Sequence, residues 1–225
     1  MFAAFFLILA FCPFVMFAQS AADGFKGDVN GPVAAVATDT TGAIYIAGQL
    51  FTNVNGVAKS HLARLNRDGT LDTTYNPNPN SSLQNIAVTG QKLVVVGGFT
   101  SIGGGPSGGI ARLNNDGTND GTFTAAISGA GALAVDFQAR VLVGGHFTTV
   151  GGQPRNRLAR FNANGTLDTT FTPDVDSAVF GITVQPDGKI LITGQFNNVN
   201  GQARWYFARL NDDGTLDNSF GVNAA

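Results

Sequence analysis

The sequence predicts an all-β, propeller-like array of four four-stranded blades, and three observations support this fold class. A unit of about 48 residues recurs four times along the 225-residue chain. The chain has 30 Gly, and its fifteen acidic residues are all Asp, a composition that favours strands and turns over helices. Within each unit, short apolar runs alternate with turn sequences. A closed four-bladed ring and an open or truncated arc of a larger propeller both fit these observations.

The repeat is defined by the motif Ala-Arg-Leu/Phe-Asn, which starts at Ala63, Ala111, Ala159 and Ala208. An aromatic residue lies twelve positions before and twelve positions after each of these alanines: Phe51, Phe99, Phe147 and Phe196 before, and Tyr75, Phe123, Phe171 and Phe220 after. The repeats therefore span 28–79, 80–127, 128–175 and 176–225. Because one such unit cannot bury both faces of its sheet, the units are predicted to stack with these aromatics between them.

The last repeat shows how one unit is divided into strands. Residues 179–185 alternate between apolar and small or polar side chains, Pro186-Asp187-Gly188 forms a turn, and residues 189–196 are rich in strand formers. A third strand over 206–211 and a fourth over 215–220 flank the turn Asp212-Asp213-Gly214. The first strand of each blade is predicted to be innermost, with the phenylalanines that precede the motif buried.

The N-terminus is predicted to direct export. Residues 2–18 are apolar and are followed by small and polar residues, which is typical of a signal peptide over 1–20. No Lys or Arg precedes the apolar run, so an uncleaved anchor is the alternative. In either case the repeat domain, residues 21–225, is expected to be secreted, periplasmic or on a bacterial cell surface. Cys12 is the only cysteine, so a cleaved chain would contain neither disulfides nor cysteine metal sites.

The charge of the chain restricts its partners. The formal net charge is -2 and only 12% of residues are charged, so there is no basic excess to bind a phosphate backbone. Nucleic acid is not expected as a partner, and a membrane is expected only through an uncleaved leader.

Several motifs resemble one known family. They are Gly144-Gly145-His146-Phe147-Thr148, Arg157-Leu158-Ala159-Arg160-Phe161-Asn162, Asn164-Gly165-Thr166-Leu167-Asp168 and Pro186-Asp187-Gly188-Lys189-Ile190-Leu191. Together they resemble the delta-60 repeat family of bacterial exported proteins, across nearly all of the repeat domain. The resemblance implies a β-propeller-like array with no settled activity.

Each repeat pairs an Arg with an Asp eight residues later, across the predicted hairpin of the third and fourth strands. The pairs are Arg64 with Asp72, Arg112 with Asp120, Arg160 with Asp168, and Arg209 with Asp217. Active sites are rarely repeated four times, whereas packing interactions are, so these residues are predicted to be structural ion pairs.

The chain offers little that predicts a cofactor. The turns over 66–72 and 211–217 place oxygen side chains at alternate positions before a Gly, as calcium loops do, but supply only two or three of the six to eight oxygens that calcium takes. Asp-Gly is also a strong hairpin signal, which favours a simple turn and leaves calcium as an alternative. His61 and His146 have no zinc-binding spacing, and no catalytic residue or metal site is predicted.

The loops between the second and third strands, residues 52–60, 100–108, 148–156 and 197–205, are predicted to form the functional surface. In or beside them are cationic and aromatic residues that could engage an acidic peptide or a sugar: Lys59, Arg155, Arg157, Arg204 and Trp205. The predicted function is a non-catalytic scaffold that binds protein or carbohydrate through these loops.

The alternative is a propeller hydrolase or lyase with a divalent ion in the axial channel. Such an enzyme needs acids that break the repeat symmetry and converge, and the candidates are Asp136, Asp174 and Asp176, too few for a metal cage.

Overall fold

A computed structural model describes residues 27–221, and every regular element in that range is a β-strand. The predicted all-β, propeller-like fold class is therefore confirmed. The predicted signal peptide over 1–20, with Cys12, lies outside the described residues. Across 27–221, no helix has the length and apolar character needed to cross a membrane.

The strands fall into four equivalent groups of five, each with three strands in one sheet and two in a small hairpin. The first group is β1 (Val33–Thr38), β2 (Ile44–Gly48), β3 (Asn53–Val54), β4 (Val57–Ala58) and β5 (Leu62–Leu65); the second is β6 (Leu83–Thr89), β7 (Lys92–Gly97), β8 (Ser101–Ile102), β9 (Gly105–Pro106) and β10 (Ile110–Leu113). The third is β11 (Ala130–Val135), β12 (Val141–Gly145), β13 (Thr149–Val150), β14 (Gln153–Pro154) and β15 (Leu158–Phe161); the fourth is β16 (Val179–Val184), β17 (Ile190–Gly194), β18 (Asn198–Val199), β19 (Gln202–Ala203) and β20 (Phe207–Leu210).

Each sheet is antiparallel, with its first strand at one edge, its second strand in the middle and its last strand at the other edge. A register shift recurs near the start of every first strand, for example between Val33 and Ala35 and between Val179 and Gly181. The same irregularity occurs between Leu83 and Asn85 and between Ala130 and Ala132. Such bulges increase local twist, which suits strands that converge. The first strands pack against one another in series, β1 on β6, β6 on β11 and β11 on β16.

The prediction of four strands per sheet is wrong in one respect, since the fourth strand is reduced to a single bridge. In the first repeat, Leu71 forms a single antiparallel bridge with Leu65 of strand β5, and each of the other repeats has one equivalent bridge. The Asp72 carboxylate accepts hydrogen bonds from the backbone N–H and the hydroxyl of Thr74, which turns the chain away from the sheet. This local side-chain bond replaces the ladder that would have continued the strand.

The two faces of each sheet pack on different neighbours. In the second sheet, Leu93, Val95 and Leu113 face the first sheet, and Val94, Val96 and Ile110 face the third. We call the face toward the preceding repeat the leading face and the face toward the following repeat the trailing face. The four phenylalanines predicted to be buried, Phe51, Phe99, Phe147 and Phe196, are all buried on leading faces. The core is thus a series of layers between successive sheets.

Candidate functional site

The four Arg–Asp pairs are present in the structure, each within one repeat. The shortest contact is 2.6 Å between Arg64 Nη2 and Asp72 Oδ2, 2.6 Å between Arg112 Nε and Asp120 Oδ2, 2.8 Å between Arg160 Nη2 and Asp168 Oδ2, and 2.8 Å between Arg209 Nε and Asp217 Oδ2. Each guanidinium also lies over the aromatic ring twelve residues after the repeat alanine. The distances to the ring centroid are 4.5 Å for Tyr75, 5.4 Å for Phe123, 4.3 Å for Phe171 and 4.3 Å for Phe220. The planar guanidinium therefore bonds to the carboxylate through its edge and contacts the aromatic ring through its face.

Three of these arginines also connect one sheet to the next. Arg64 Nη1 donates to the carbonyl oxygen of Asn115 at 2.5 Å, and Arg112 Nη1 donates to that of Ala163 at 2.6 Å. Arg160 Nη1 donates in the same way to the carbonyl oxygen of Asp212. These acceptors occupy the same position in the hairpin turn of the following repeat. These arginines therefore hydrogen-bond one sheet to the turn of the next and do not form a free cationic surface.

The carboxylates of these pairs are strongly acidic. Burial works to raise the pKa of Asp72, but hydrogen bonds from Thr74 and Arg64 outweigh it and lower the pKa to about 2. The same balance, with hydrogen bonds from Thr170 and Arg160, lowers the pKa of Asp168 to about 2. These groups stay ionised at neutral pH, where a general acid would have to hold a proton.

The loop cations do not form the solvated surface expected from the sequence. Lys59 and Arg155 are buried, and each reaches a backbone carbonyl of its own repeat: Lys59 Nζ donates to Tyr75 O at 2.8 Å, and Arg155 Nη2 to Asp168 O at 3.3 Å. Arg204 Nη2 donates to Asn218 Oδ1 at 2.9 Å. The expectation that Arg155 is a solvent-exposed loop residue is therefore wrong, because its guanidinium holds the loop to the outer segment of the repeat.

The residue before the last strand of the sheet has an unusual backbone in three repeats. His61, Arg157 and Tyr206 have φ of 64°, 66° and 65°. The next residue donates to the carbonyl of the previous one, as when Phe207 N bonds to Trp205 O at 2.7 Å, which closes a γ-turn. Left-handed φ at bulky residues costs energy and often marks positions that a function requires.

An exposed aromatic group lies at the end of the third and fourth sheets where the first strands begin. Phe180, Trp205 and Tyr206 are 52%, 54% and 63% exposed. The Phe180 ring lies 5.6 Å from the ring of His146 in the preceding sheet, and Arg157 Nη1 donates to the carbonyl oxygen of His146. We call His146, Arg157, Phe180, Trp205 and Tyr206 the aromatic edge.

The aromatic edge includes two of the loop residues predicted from the sequence, Arg157 and Trp205. Phe180 was missed, although a signal was available. It stands at a repeat position that holds Gln84 in the second repeat and Gly131 in the third, so an aromatic there breaks the symmetry. From the sequence, His146 stands out only as a histidine without zinc-binding spacing.

The acids named as candidates for an enzyme have local partners. Asp136 accepts from Arg140 Nε at 2.5 Å, Asp174 from Asn156 Nδ2 at 2.8 Å, and Asp176 from the backbone N–H of Asn197 at 2.9 Å. Within residues 27–221, no three His, Cys, Asp or Glu side chains are grouped closely enough to hold a metal ion.

Comparison with known proteins gives one family match. The family described as "Domain of unknown function (DUF5122) beta-propeller" matches residues 41–75, 92–123, 140–171 and 185–220. These four segments make up more than half of the chain, and each covers the sheet-forming part of one repeat. No curated protein sequence matches.

Solved structures are similar in fold at low sequence identity. The WD40 β-propeller domain of Doa1 aligns with a TM-score of 0.51 and 13% identity, over 72% of this chain and 48% of that one. Virginiamycin B lyase from Staphylococcus aureus aligns with a TM-score of 0.52 and 13% identity, over 88% and 56%. A chain of the nidogen/laminin complex aligns with a TM-score of 0.50 and 12% identity, over 80% and 64%. The protein thus spans between about half and two thirds of the length of these structures, which are evidence of shared fold alone.

Proposed function

This chain belongs to the DUF5122 β-propeller family, and on that premise we propose that it is a non-catalytic, exported scaffold that binds a carbohydrate through the aromatic edge. The observation that carries the proposal is the exposure of Phe180, Trp205 and Tyr206 at one end of the fourth sheet. Exposed aromatic groups that cluster mark interaction sites more often than scattered ones do.

The side chains around the aromatic edge favour a sugar. Flat rings can bury the apolar C–H faces of a pyranose, and amide side chains can donate to and accept from its hydroxyl groups. Gln195 follows strand β17 at the same end of the sheet and is exposed, as is Gln49 after β2. Gln49 Nε2 donates to Gln84 Oε1 at 2.9 Å, so amides extend along this end to the second sheet.

A strongly charged partner fits this edge less well. Its guanidinium belongs to Arg157, whose Nη1 is already bonded to the carbonyl oxygen of His146. The net charge of -2 gives no long-range attraction for an anionic ligand.

Export is the second part of the proposal. It is supported by the apolar run over 2–18 and by the resemblance of the repeat motifs to the delta-60 repeats of bacterial exported proteins. A cell-surface or secreted position would bring the aromatic edge to extracellular glycans.

Affinity electrophoresis against a panel of soluble polysaccharides tests the proposal. We expect at least one polysaccharide to retard the protein, and we expect Trp205→Ala and Phe180→Ala to reduce the retardation while the melting temperature stays unchanged. Phe137→Ala is the matched control, because Phe137 is also exposed but lies in the turn between β11 and β12, at the opposite end of its sheet.

Two results would contradict carbohydrate binding at this edge. One is that no polysaccharide retards the parent protein while the same aromatic residues are needed to bind an envelope protein. The other is that Phe137→Ala weakens retardation as much as Trp205→Ala does.

A further inference from the structure

The trailing face of the fourth sheet differs from the other three trailing faces. Ala47, Val96 and Gly144 are buried in the first three sheets, whereas the equivalent Thr193 is exposed. Leu191 and Phe207, on the same face, are half-buried. Their counterparts in the first three sheets are all buried: Tyr45, Val94 and Leu142 at the Leu191 position, and Leu62, Ile110 and Leu158 at the Phe207 position. Leu191 and Phe207 are apolar like their counterparts, so this face has the composition of a face that packs against another sheet.

The first sheet shows the complementary exposure, on its innermost strand. Val33 is 40% exposed and Val36 is 60% exposed. The residues at these positions in the second repeat, Leu83 and Ile86, are 0% and 5% exposed because they lie between two sheets. Apolar side chains are therefore fully or partly exposed at both ends of the series of sheets, Val33 and Val36 at one end and Leu191 and Phe207 at the other.

The hydrogen bonds from the repeat arginines to the next sheet give a second, independent sign that the faces at the two ends of the series lack a neighbouring sheet. Arg64, Arg112 and Arg160 each donate to a turn carbonyl of the following repeat, but Arg209 has no such acceptor among residues 27–221. In the first repeat the equivalent carbonyl belongs to Arg67, whose turn is closed by the same Gly69 N to Asn66 O bond as the other turns. Within the described residues, no donor reaches the Arg67 carbonyl. The Arg209 guanidinium in the last repeat and the Arg67 carbonyl in the first repeat are thus a matching donor and acceptor.

We propose that the first sheet of a second copy of this chain docks on the trailing face of the fourth sheet. The contact continues the interface already present between successive sheets, with Arg209 donating to the Arg67 carbonyl of the second copy. Its geometry follows the first and second sheets, where Ala47 packs in one buried cluster with Leu83 and Ile86. The equivalent positions are Thr193 on one copy and Val33 and Val36 on the other.

A second copy is favoured over the chain's own first sheet because both exposed faces occur in the same molecule, where they do not cover each other. Two copies that exchange these contacts in both directions form a closed, symmetric pair. Their combined sheets remain within the four to eight blades typical of propellers.

Light scattering coupled to size exclusion, on the full chain in the form recovered from an exporting host, tests the proposal. We expect a mass of two copies that falls to one copy in Thr193→Arg and also in Val36→Arg. Thr149→Arg is the matched control, since Thr149 is an exposed threonine in β13 and away from both faces. All variants should keep the parent circular dichroism spectrum, because the substituted positions are exposed.

Cross-linking identifies which sheets meet. In a Cys12→Ser background, Val36→Cys combined with Thr193→Cys should give covalent links between chains. A single-copy mass for the parent at all concentrations would overturn the proposal, as would links formed only within one chain, which would mean that the ring closes on itself. A two-copy mass unchanged by both Thr193→Arg and Val36→Arg would also overturn it.

Discussion

Arg112 in the second sheet donates a 2.6 Å hydrogen bond to the backbone carbonyl of Ala163 in the turn of the third sheet. Because the acceptor is backbone, the residue at this turn position is free to vary, and it is Asn115, Ala163 and Asp212 in successive repeats. The donor cannot vary in the same way, since it must also pair with an Asp and lie over an aromatic ring. In three of the four repeats the arginine thus sets the position of the next sheet with the same geometry, and no particular side chain is required at the acceptor position.

Replacing Arg160 by Ala should destabilise the protein strongly. Arg160 and Asp168 are both buried, and removing the cation leaves a buried carboxylate without its partner, at a cost of roughly 3 to 5 kcal/mol. Arg209→Ala leaves Asp217 paired with Lys189 and removes no described bond to a following sheet, so its loss of unfolding free energy should be smaller. Urea unfolding measures both, and equal losses would mean that the bond between sheets contributes nothing.

Acid should unfold the protein between about pH 4 and pH 2. The pKa of Asp72 and of Asp168 is about 2 in the folded state, below the ordinary value of 3.8 expected in the unfolded chain. A lowered folded pKa gives stability that is fully present above the unfolded pKa and lost as the pH falls through the folded one, about 2 kcal/mol for each carboxylate. The unfolding free energy from pH 7 to pH 2 checks this. Asp168→Asn should lower the stability at neutral pH and flatten its dependence on pH, and a parent curve as flat as that of the variant would contradict the assignment.

Gly109→Ala should destabilise far more than Gly104→Ala. Both glycines have positive φ, 86° and 78°, so an alanine is strained at either position. At Gly109 a Cβ would also lie 2.2 Å from the carbonyl oxygen of Ile127, whereas at Gly104 nothing lies within 4 Å. We expect a loss of more than about 1 kcal/mol at Gly109 beyond the effect at Gly104. Thermal melts of the two variants provide the comparison, and equal shifts would show that the loop relaxes freely.

Much of this fold follows from the sequence, because the repeat fixes which residues are equivalent. The spacing of Phe51, Phe99, Phe147 and Phe196 predicted a shared buried setting, and their burial confirms it. The fourth strand was overestimated because a turn formed by one side chain, Asp72 with Thr74, competes with the ladder in a way that strand propensity does not register. The burial of Lys59 and Arg155 was also missed, since long cationic side chains can lie along the protein surface and place their charged ends on distant carbonyls.

The candidate site was predicted only in part, for a related reason. The repeat identifies structural residues efficiently, but a binding surface consists of departures from the repeat. Trp205 and Arg157 lie in or directly beside segments already selected as loops, while Phe180 lies inside strand β16 and is nevertheless 52% exposed. Comparing the repeats position by position for aromatic residues outside the shared pattern would have found it.

Calcium should not stabilise the protein through its Asp-Gly turns. Asp213 Oδ1 accepts from the backbone N–H of Thr215 at 2.9 Å and from its hydroxyl at 2.6 Å, so this oxygen is already used to close the turn. A site on the folded state would add about 2.7 kcal/mol at a calcium concentration one hundred times its Kd. We expect the melting temperature to be the same in millimolar calcium and in a chelator, and a rise in calcium that Asp213→Asn abolishes would contradict this.

Arg155→Ala and Arg204→Ala should differ in stability, although the two residues are aligned in the repeat. Arg155 is buried and its guanidinium bonds to the carbonyl of Asp168, so the truncation leaves a buried acceptor unsatisfied, at a cost of roughly 1 to 3 kcal/mol. Arg204 is less buried and bonds to the side chain of the exposed Asn218, which can turn to water, so its loss should stay within about 0.5 kcal/mol. Chemical unfolding of both variants measures the difference, and Lys59→Met serves as a third variant because it removes the bond from the aligned loop cation of the first repeat to the carbonyl of Tyr75. If Arg155→Ala is as stable as the parent, this buried guanidinium does not hold its loop. The loop cations would then again be candidates for binding an acidic peptide or a sugar.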